Sequence, residues 1–229
     1  MPTLILSPHF DDAPLSLGQS LIDGELAGTR PVVGVVFGRS NWQRWFHPTR
    51  RRTPLVSMIR RAEERLNARR FGYSVKVGGL EEVILRTGQT DSAVFLDPDV
   101  PVPDDLVAAV VDVISGWRSP GQLVLAPLGV GGHLDHRIVT AAAQRIVPSE
   151  HLGFYEDRPY ASFLTDDQIT ARATQVDPLL RPRHASASIG SDKTGRIFYP
   201  SQFDRYFLDA IAIDATSRRT ERLWSRPGS

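Results

Sequence analysis

The sequence predicts an α/β fold built on a mostly parallel sheet. Two observations carry this. Residues 4–6 and 32–37 are short apolar runs of strand length, and between them Leu15, Leu17, Leu21, Ile22 and Leu26 fall at mostly helical spacing. Strand, helix, strand within about 35 residues marks a βαβ unit, whose two strands run parallel. The same alternation then continues along most of the chain.

The first strand is broken by Ser7 to Asp12, and the helix that follows is expected to close at Gly28 and Pro31. Leu55, Met58, Ile59, Ala62 and Leu66 mark one face of a second helix, ending near Phe71-Gly72. Residues 75–77 read as a strand. Residues 104–117 read as a helix capped by Asp104 and striped by Leu106, Val107, Val110, Val111 and Ile114. A buried strand is expected over 123–126, a helix entered through Gly131-Gly132 over 133–146, and a further strand over 152–155. Beyond Asp166 the signals weaken to a helix over 166–176, a loop-rich segment over 178–194 and a strand near 197–199. The basic segment 38–53, with Trp42, Trp45 and His47, reads as a loop. Without repeats or low-complexity tracts, the chain is expected to be one domain over residues 1–229.

Composition narrows the function classes. With 229 residues, 41% of them apolar, the chain has material for a sizeable core. A formal net charge of +1 gives no reason to expect nucleic acid or an anionic membrane as partner. The absence of cysteine excludes disulfides, thiolate metal sites and cysteine nucleophiles. Residues 1–10 lack the basic flank and apolar length of a signal peptide. No stretch approaches the roughly 18 apolar residues of a spanning helix. A cytoplasmic protein is expected.

Chemistry concentrates at two strand-to-helix junctions. Ser7-Pro8-His9-Phe10-Asp11-Asp12 follows one buried run and opens a helix, at the strand end where open α/β sheets bind ligands. Imidazole and carboxylate suit zinc and related divalent metals, and His9 and Asp12, three apart, can face one point. Alone, the segment reads equally well as a helix N-cap supplied by Asp11 or Asp12. Gly131-Gly132-His133-Leu134-Asp135-His136 follows another buried run. His133 and His136 are placed to share a helix face, and Asp135 could orient an imidazole from behind; a polar helix start is the competing reading.

Together the two segments say more. They hold three of the six histidines, and parallel strands bring both to one sheet edge. His9, Asp12 and His136 then offer three N/O ligands with room for water, the open set of a catalytic rather than a structural site. Asp11 stands near enough to take a proton from that water.

These motifs resemble those of the PIG-L/LmbE-like deacetylase family. The family's Pro-His-Pro-Asp-Asp-Glu reads here Pro8-His9-Phe10-Asp11-Asp12-Ala13, and its His-x-Asp-His reads His133-Leu134-Asp135-His136. Lesser matches run along nearly the whole chain: Arg60-Arg61-Ala62-Glu63, Ala126-Pro127-Leu128-Gly129, Tyr155-Glu156-Asp157-Arg158-Pro159-Tyr160, Tyr199-Pro200-Ser201-Gln202 and Glu221-Arg222-Leu223-Trp224. The resemblance implies a Rossmann-like three-layer α/β/α fold and hydrolysis of an N-acyl group, usually acetyl from an amino sugar or its conjugate. It implies one Zn2+ on His9, Asp12 and His136, Asp11 as general base, a protonated His133 on the carbonyl side and Asp135 supporting a histidine. It also implies a helix arginine at the substrate, Arg60 with Arg61 as rival. Glu82 falls where the family often carries an aspartate near substrate, although a solvated carboxylate is the stronger reading. Phe10 for proline costs no ligand. Ala13 for glutamate and Gln19 after Gly18 depart from the pattern without touching a ligand or base.

Trp42, Trp45 and His47 could form a lid over a sugar or pin their own surface loop. Arg50-Arg51-Arg52 reads as solvated. The leading function is N-deacetylation of an N-acetyl amino sugar or N-acetylglucosaminyl conjugate, with a small-molecule substrate and a homo-oligomer left open. The competing readings are hydrolysis of another amide, such as a thiol conjugate, and a non-catalytic carbohydrate-binding relative. A nucleotide-binding domain is disfavoured, because the first turn carries carboxylates where phosphate would need a glycine-rich cradle.

Overall fold

In the computed structural model, which describes residues 2–26, 30–217 and 219–228, seven strands form one sheet in the order β3-β2-β1-β4-β5-β7-β6. The strands are β1 (Leu4–Ser7), β2 (Val32–Val35), β3 (Ser74–Val77), β4 (Val124–Pro127), β5 (Leu152–Tyr155), β6 (Arg181–Ser188) and β7 (Thr220–Ser225). The first five are mutually parallel, with Leu4 opposite both Val32 and Val124. β7 pairs antiparallel with β5 and with β6. The expected α/β class with a mostly parallel sheet is the observed one.

Alternation along each strand divides the core. Leu4, Leu6, Val124 and Ala126 point to one face. There they meet α5 (Asp104–Ser115) through Val107, Val110 and Ile114, and α6 (Leu134–Ile146) through Ile138, Val139 and Ala142. Ile5, Val33, Val35 and Leu125 point to the other. They meet α1 (Asp12–Asp23) through Ala13 and Leu17, and α2 (Thr53–Phe71) through Ala68 and Phe71. Helices therefore cover both faces, giving three layers. Short helices α3 (Val83–Thr87) and α4 (Ser92–Phe95) precede α5; α7 (Asp166–Val176), α8 (Ser191–Arg196) and α9 (Arg205–Thr216) complete the chain.

Several expectations need correction. α1 ends at Gly24, whose φ of 73° forms a left-handed C-cap, well before Pro31; Gly28 lies outside the described residues. The cap of α5 is Pro103, not Asp104, which sits inside the first turn and pairs with Arg145 at 2.5 Å. The segment 178–194 is not a loop but holds β6 and most of α8. β6 lacks an apolar alternation because it is an edge strand, and Pro182 needs no ladder partner for a missing N–H. No strand forms at 197–199. Asn67 of α2 satisfies that backbone instead, donating to Phe198 O at 2.7 Å and accepting from Phe198 N at 2.9 Å. α9 and β7 were not foreseen.

β7 also ties into the side of α1. Glu221 accepts from the backbone N–H of Gln19 (2.9 Å) and Ser20 (2.7 Å) and from the Ser20 hydroxyl (2.6 Å). Lys193 pairs with Glu221 at 2.6 Å and donates to Leu15 O at 2.6 Å, the carbonyl that Gln19 would use in a regular helix. Gly18 keeps the approach open, since a Cβ there would sit 3.0 Å from Phe71 and 3.2 Å from Lys193.

Candidate metal centre and active site

The chain leaves β1 for one side of the sheet, towards β2, and β4 leads to the other. The ends of β1 and β4 are therefore the topological switch point, where the crossovers part and leave a crevice. Both histidine motifs leave the sheet there. Asp11 occupies the N-cap position of α1 but makes no capping bond, so its carboxylate stays free for other work. Asp12 Oδ2 accepts from the His9 backbone N–H at 2.6 Å, which closes the turn and aims both side chains inward. The second motif is shaped by glycine. A Cβ on Gly131 would collide with the Tyr160 ring, and Gly132, at φ 75°, lies against the Leu96 carbonyl.

His133 is itself the N-cap of α6, so it does not share a helix face with His136 as expected. Its Nδ1 accepts from the Asp135 N–H at 3.2 Å, which leaves the ring proton on Nε2. Burial, with His9 and His136 close by, holds its pKa well below the usual imidazole range. The expected protonated His133 is thus corrected to a neutral ring.

His9, Asp12 and His136 present ligand atoms all within 4.8 Å of one another. His9 Nδ1 lies 3.4 Å from Asp12 Oδ2, and His136 Nε2 lies 3.4 Å from Asp12 Oδ1. Ligands about 2.1 Å from a tetrahedral ion are spaced about 3.4 Å apart. Behind each imidazole stands a carboxylate: Asp135 Oδ2 is 3.0 Å from His9 Nε2, and Asp157 Oδ1 is 2.7 Å from His136 Nδ1. Each fixes the tautomer whose other nitrogen faces Asp12. His136 Nε2 is buried and has no hydrogen-bond partner, as a free ligand atom would be. The residues present fit a divalent cation.

The charges agree with that fit. Burial would lower the His9 pKa, but Asp12 and Asp135 outweigh it and raise it to about 10. Burial disfavours charge on Asp12, yet His136 and His9 hold it well below the usual carboxylate range. The cluster therefore calls for positive charge. Asp11 behaves oppositely: burial and the neighbouring Asp12 push its carboxyl up to about 6, against the pull of Arg60 and His9.

Arg60 reaches this cluster with Nη2 3.8 Å from Asp11 Oδ1. Its other donors are committed, Nε to Gln202 Oε1 (2.8 Å) and Nη1 to Ser40 Oγ (2.6 Å) and Glu82 Oε2 (2.8 Å). Glu82 is buried and paired, not solvated as expected, because Arg60 needs a counter-charge away from water. Arg61, the rival, lines a separate cleft beside Tyr73. Trp42 lines the cavity over the cluster, whereas Trp45 is 52% exposed away from it. That cavity has about 380 Å³ of space and also takes in Phe95, Tyr160, Asp204, Tyr206 and Phe207.

Asp157 is the residue that sequence reasoning missed. It stood in a noted segment, directly after a buried run, where the rule that singled out the two histidine motifs applied equally. Ser40, just past the 32–37 run, and Gln202, inside the noted Tyr199-Pro200-Ser201-Gln202 segment, were passed over in the same way.

No family model matches the chain. The chain is 35% identical over 164 residues to 2'-N-acetylparomamine deacetylase of Streptomyces fradiae. That match covers 69% of this chain and 57% of the relative, so it spans somewhat over half of the relative's length. Two solved structures share its fold. One is the A40926 pseudoaglycone deacetylase Dbv21, at TM-score 0.62 and 22% identity, covering 98% of this chain and 96% of that one. The other is the zinc-inhibited form of teicoplanin deacetylase Orf2, at TM-score 0.64 and 20% identity, covering 98% and 97%.

Proposed function

This chain belongs to the PIG-L/LmbE-like family, and on that footing we propose that it is a zinc-dependent N-deacetylase of an N-acetyl amino sugar or N-acetylglucosaminyl conjugate. The substrate is a small-molecule natural-product or glycoconjugate intermediate, and residues 1–229 act as one domain in the cytoplasm. Among the described residues no helix is long and apolar enough to cross a membrane. One observation carries the reading: His9 and His136 are each backed by a buried carboxylate and each turn the remaining nitrogen to Asp12, at 3.4 Å in both cases.

When held by His9, Asp12 and His136, a divalent cation supplies a Lewis acid for the amide carbonyl and acidifies water. The chain's own groups supply the rest. Asp11, largely ionised at neutral pH yet close to its titration point, accepts the proton of the attacking water. The Arg60 guanidinium 3.8 Å away holds that carboxylate in place. His133, neutral with its proton on Nε2, donates to the carbonyl oxygen as negative charge develops there; a neutral imidazole can do this. The proton stored on Asp11 then passes to the departing nitrogen, so acid and base are one residue in turn.

The test is a screen of N-acetylglucosamine-containing compounds with metal-reconstituted protein, reading released acetate with and without chelator. Release that stops with chelator and in His136→Ala supports the proposal. Release indifferent to both, or none from any compound, overturns it.

A further inference from the structure

The cavity over the cluster has a direction. Phe95, His133, Tyr160 and Tyr206 form a row of rings, with successive centroids 5.1, 6.2 and 6.5 Å apart. His133, 5.0 Å from the His136 ring, stands in the middle of the row beside the metal ligands. The Phe95 end is lined also by Val83, Ile84 and Leu96, with Thr90 and Ser92 as the polar residues of the same stretch. The Tyr206 end differs: Tyr160 and Phe207 line it, and Asp204 opens into it at the start of α9. An acetamide bound with its carbonyl at the centre puts a methyl group towards one end and the amine half of the molecule towards the other. Apolar walls suit the methyl group.

The charges around the cavity do not cancel. Asp11 and Asp12 face the cation position, and Glu82 is paired with Arg60 at 2.8 Å. Asp204 is the remaining carboxylate of the lining. Its Oδ1 accepts from the N–H of Tyr206 (2.9 Å) and Phe207 (3.4 Å), and no ion pair to it is found among the described residues. The adjacent Arg205 is directed to Asp209, at 3.6 Å. A carboxylate beside an electron-rich ring, at the end of the cavity that takes the amine half, favours an ammonium group.

We propose that Asp204 and Tyr206 form a subsite for a second, unacylated ammonium group carried by the amine half of the substrate, so that the enzyme selects polyamino sugars over neutral N-acetyl sugars. This rests on the deacetylase reading of the same site and adds the charge of the substrate to it. Asp204 is a positioning and specificity residue that takes no part in the proton transfers.

The test uses two acetamido sugars that differ only in their second ring, one bearing free amines and the other hydroxyls in the same places. Asp204→Asn is the variant, because asparagine caps a helix as well as aspartate does. The parent should prefer the amine substrate in kcat/KM, through KM, by about two- to fivefold, the worth of an ion pair at a solvent-exposed carboxylate such as Asp204. In Asp204→Asn that ratio should collapse, and in the parent it should shrink as ionic strength rises. Binding of the amine ring alone, followed by calorimetry, reads the subsite without turnover. Acetate released from both substrates with the same ratio in parent and variant overturns the subsite and leaves the deacetylase reading standing. No acetate from either, but calorimetric binding that weakens in the variant, overturns the deacetylase reading and keeps the subsite. Neither turnover nor a difference in binding removes both.

Discussion

Replacing Asp157 by asparagine separates His136, a ligand in the proposed metal centre, from the carboxylate that orients it. Asp157 is fully buried and does two things at once. Oδ2 accepts from the backbone N–H of Gly129 (2.5 Å) and Val130 (3.0 Å), and Oδ1 faces His136 Nδ1 at 2.7 Å. In Asp157→Asn the amide oxygen must stay on the two loop N–H groups, which forces the amide NH2 towards His136. Two N–H groups cannot face each other, so His136 moves its proton to Nε2, the atom turned to Asp12. A protonated Nε2 is no ligand. The cost is that of enforcing the wrong tautomer at one of three ligands, and losses of about 10- to 100-fold in metal affinity accompany such changes. The assay is a competition titration against a zinc chelator, run beside thermal unfolding in excess chelator to separate metal loss from misfolding. Zinc affinity equal to the parent's, in a folded variant, would refute the role given to Asp157.

Asp11→Asn should keep its zinc and lose roughly 10²-fold or more in kcat; parental turnover would remove Asp11 from the chemistry, and lost zinc would make it a ligand. His133→Ala should likewise keep its zinc and lose roughly 10²–10³-fold in kcat, the usual effect of deleting an oxyanion donor; recovery with excess zinc would show it to be a fourth ligand. Glu64 gives a pH prediction. It is buried between Tyr73 (2.9 Å) and Tyr199 (2.6 Å), and burial raises its pKa from 4.5 to about 8. The Tyr199 hydroxyl faces both Glu64 and Phe10 O (2.9 Å) with one proton, so a protonated Glu64 satisfies all three groups. The folded state then binds a proton that the unfolded state has released between those two values, and stability must fall as pH rises through that window. Glu64→Gln, which imitates the protonated acid, should gain unfolding free energy over the parent as pH rises from about 5 to about 9, by on the order of a few kcal/mol at the top; a difference that does not vary with pH would rule this out.

The parallel half of the fold was readable because β1, β2, β4 and β5 are buried on both faces and announce themselves as apolar runs, while the edge strand β3 shows only Val75 and Val77. Leu4-Ile5-Leu6 needs no partner to be recognised. β6 and β7 were missed because they close the sheet antiparallel, and their burial depends on neighbours distant in sequence. At the site, residue type and spacing sufficed to single out His9, Asp12 and His136. Periodicity misjudged His133, since a residue that caps a helix turns off the helical face it precedes. Glu82 was misjudged for a related reason: its partner Arg60 lies 22 residues away on another element. A carboxylate's surroundings are a tertiary fact, and a local reading assigns it to solvent by default.

The clasp between Glu221, Lys193 and the flank of α1 bears on the order of synthesis. The helix that opens at Asp11 and Asp12 is made before the strand it leans on, since the carboxylate that accepts from the Ser20 N–H comes 201 residues later. A nascent chain therefore holds the first histidine motif long before it can finish the helix behind it. His136 and Asp157 likewise arrive late. On the proposed reading, a chain that ends before His136 offers a metal only the His9–Asp12 arm, and one that ends before β7 offers every ligand without the clasp behind α1. Chains truncated ahead of Thr220 are expected to lose tight zinc binding although every ligand is present. Tight binding by such chains would show that the motif matures without the clasp.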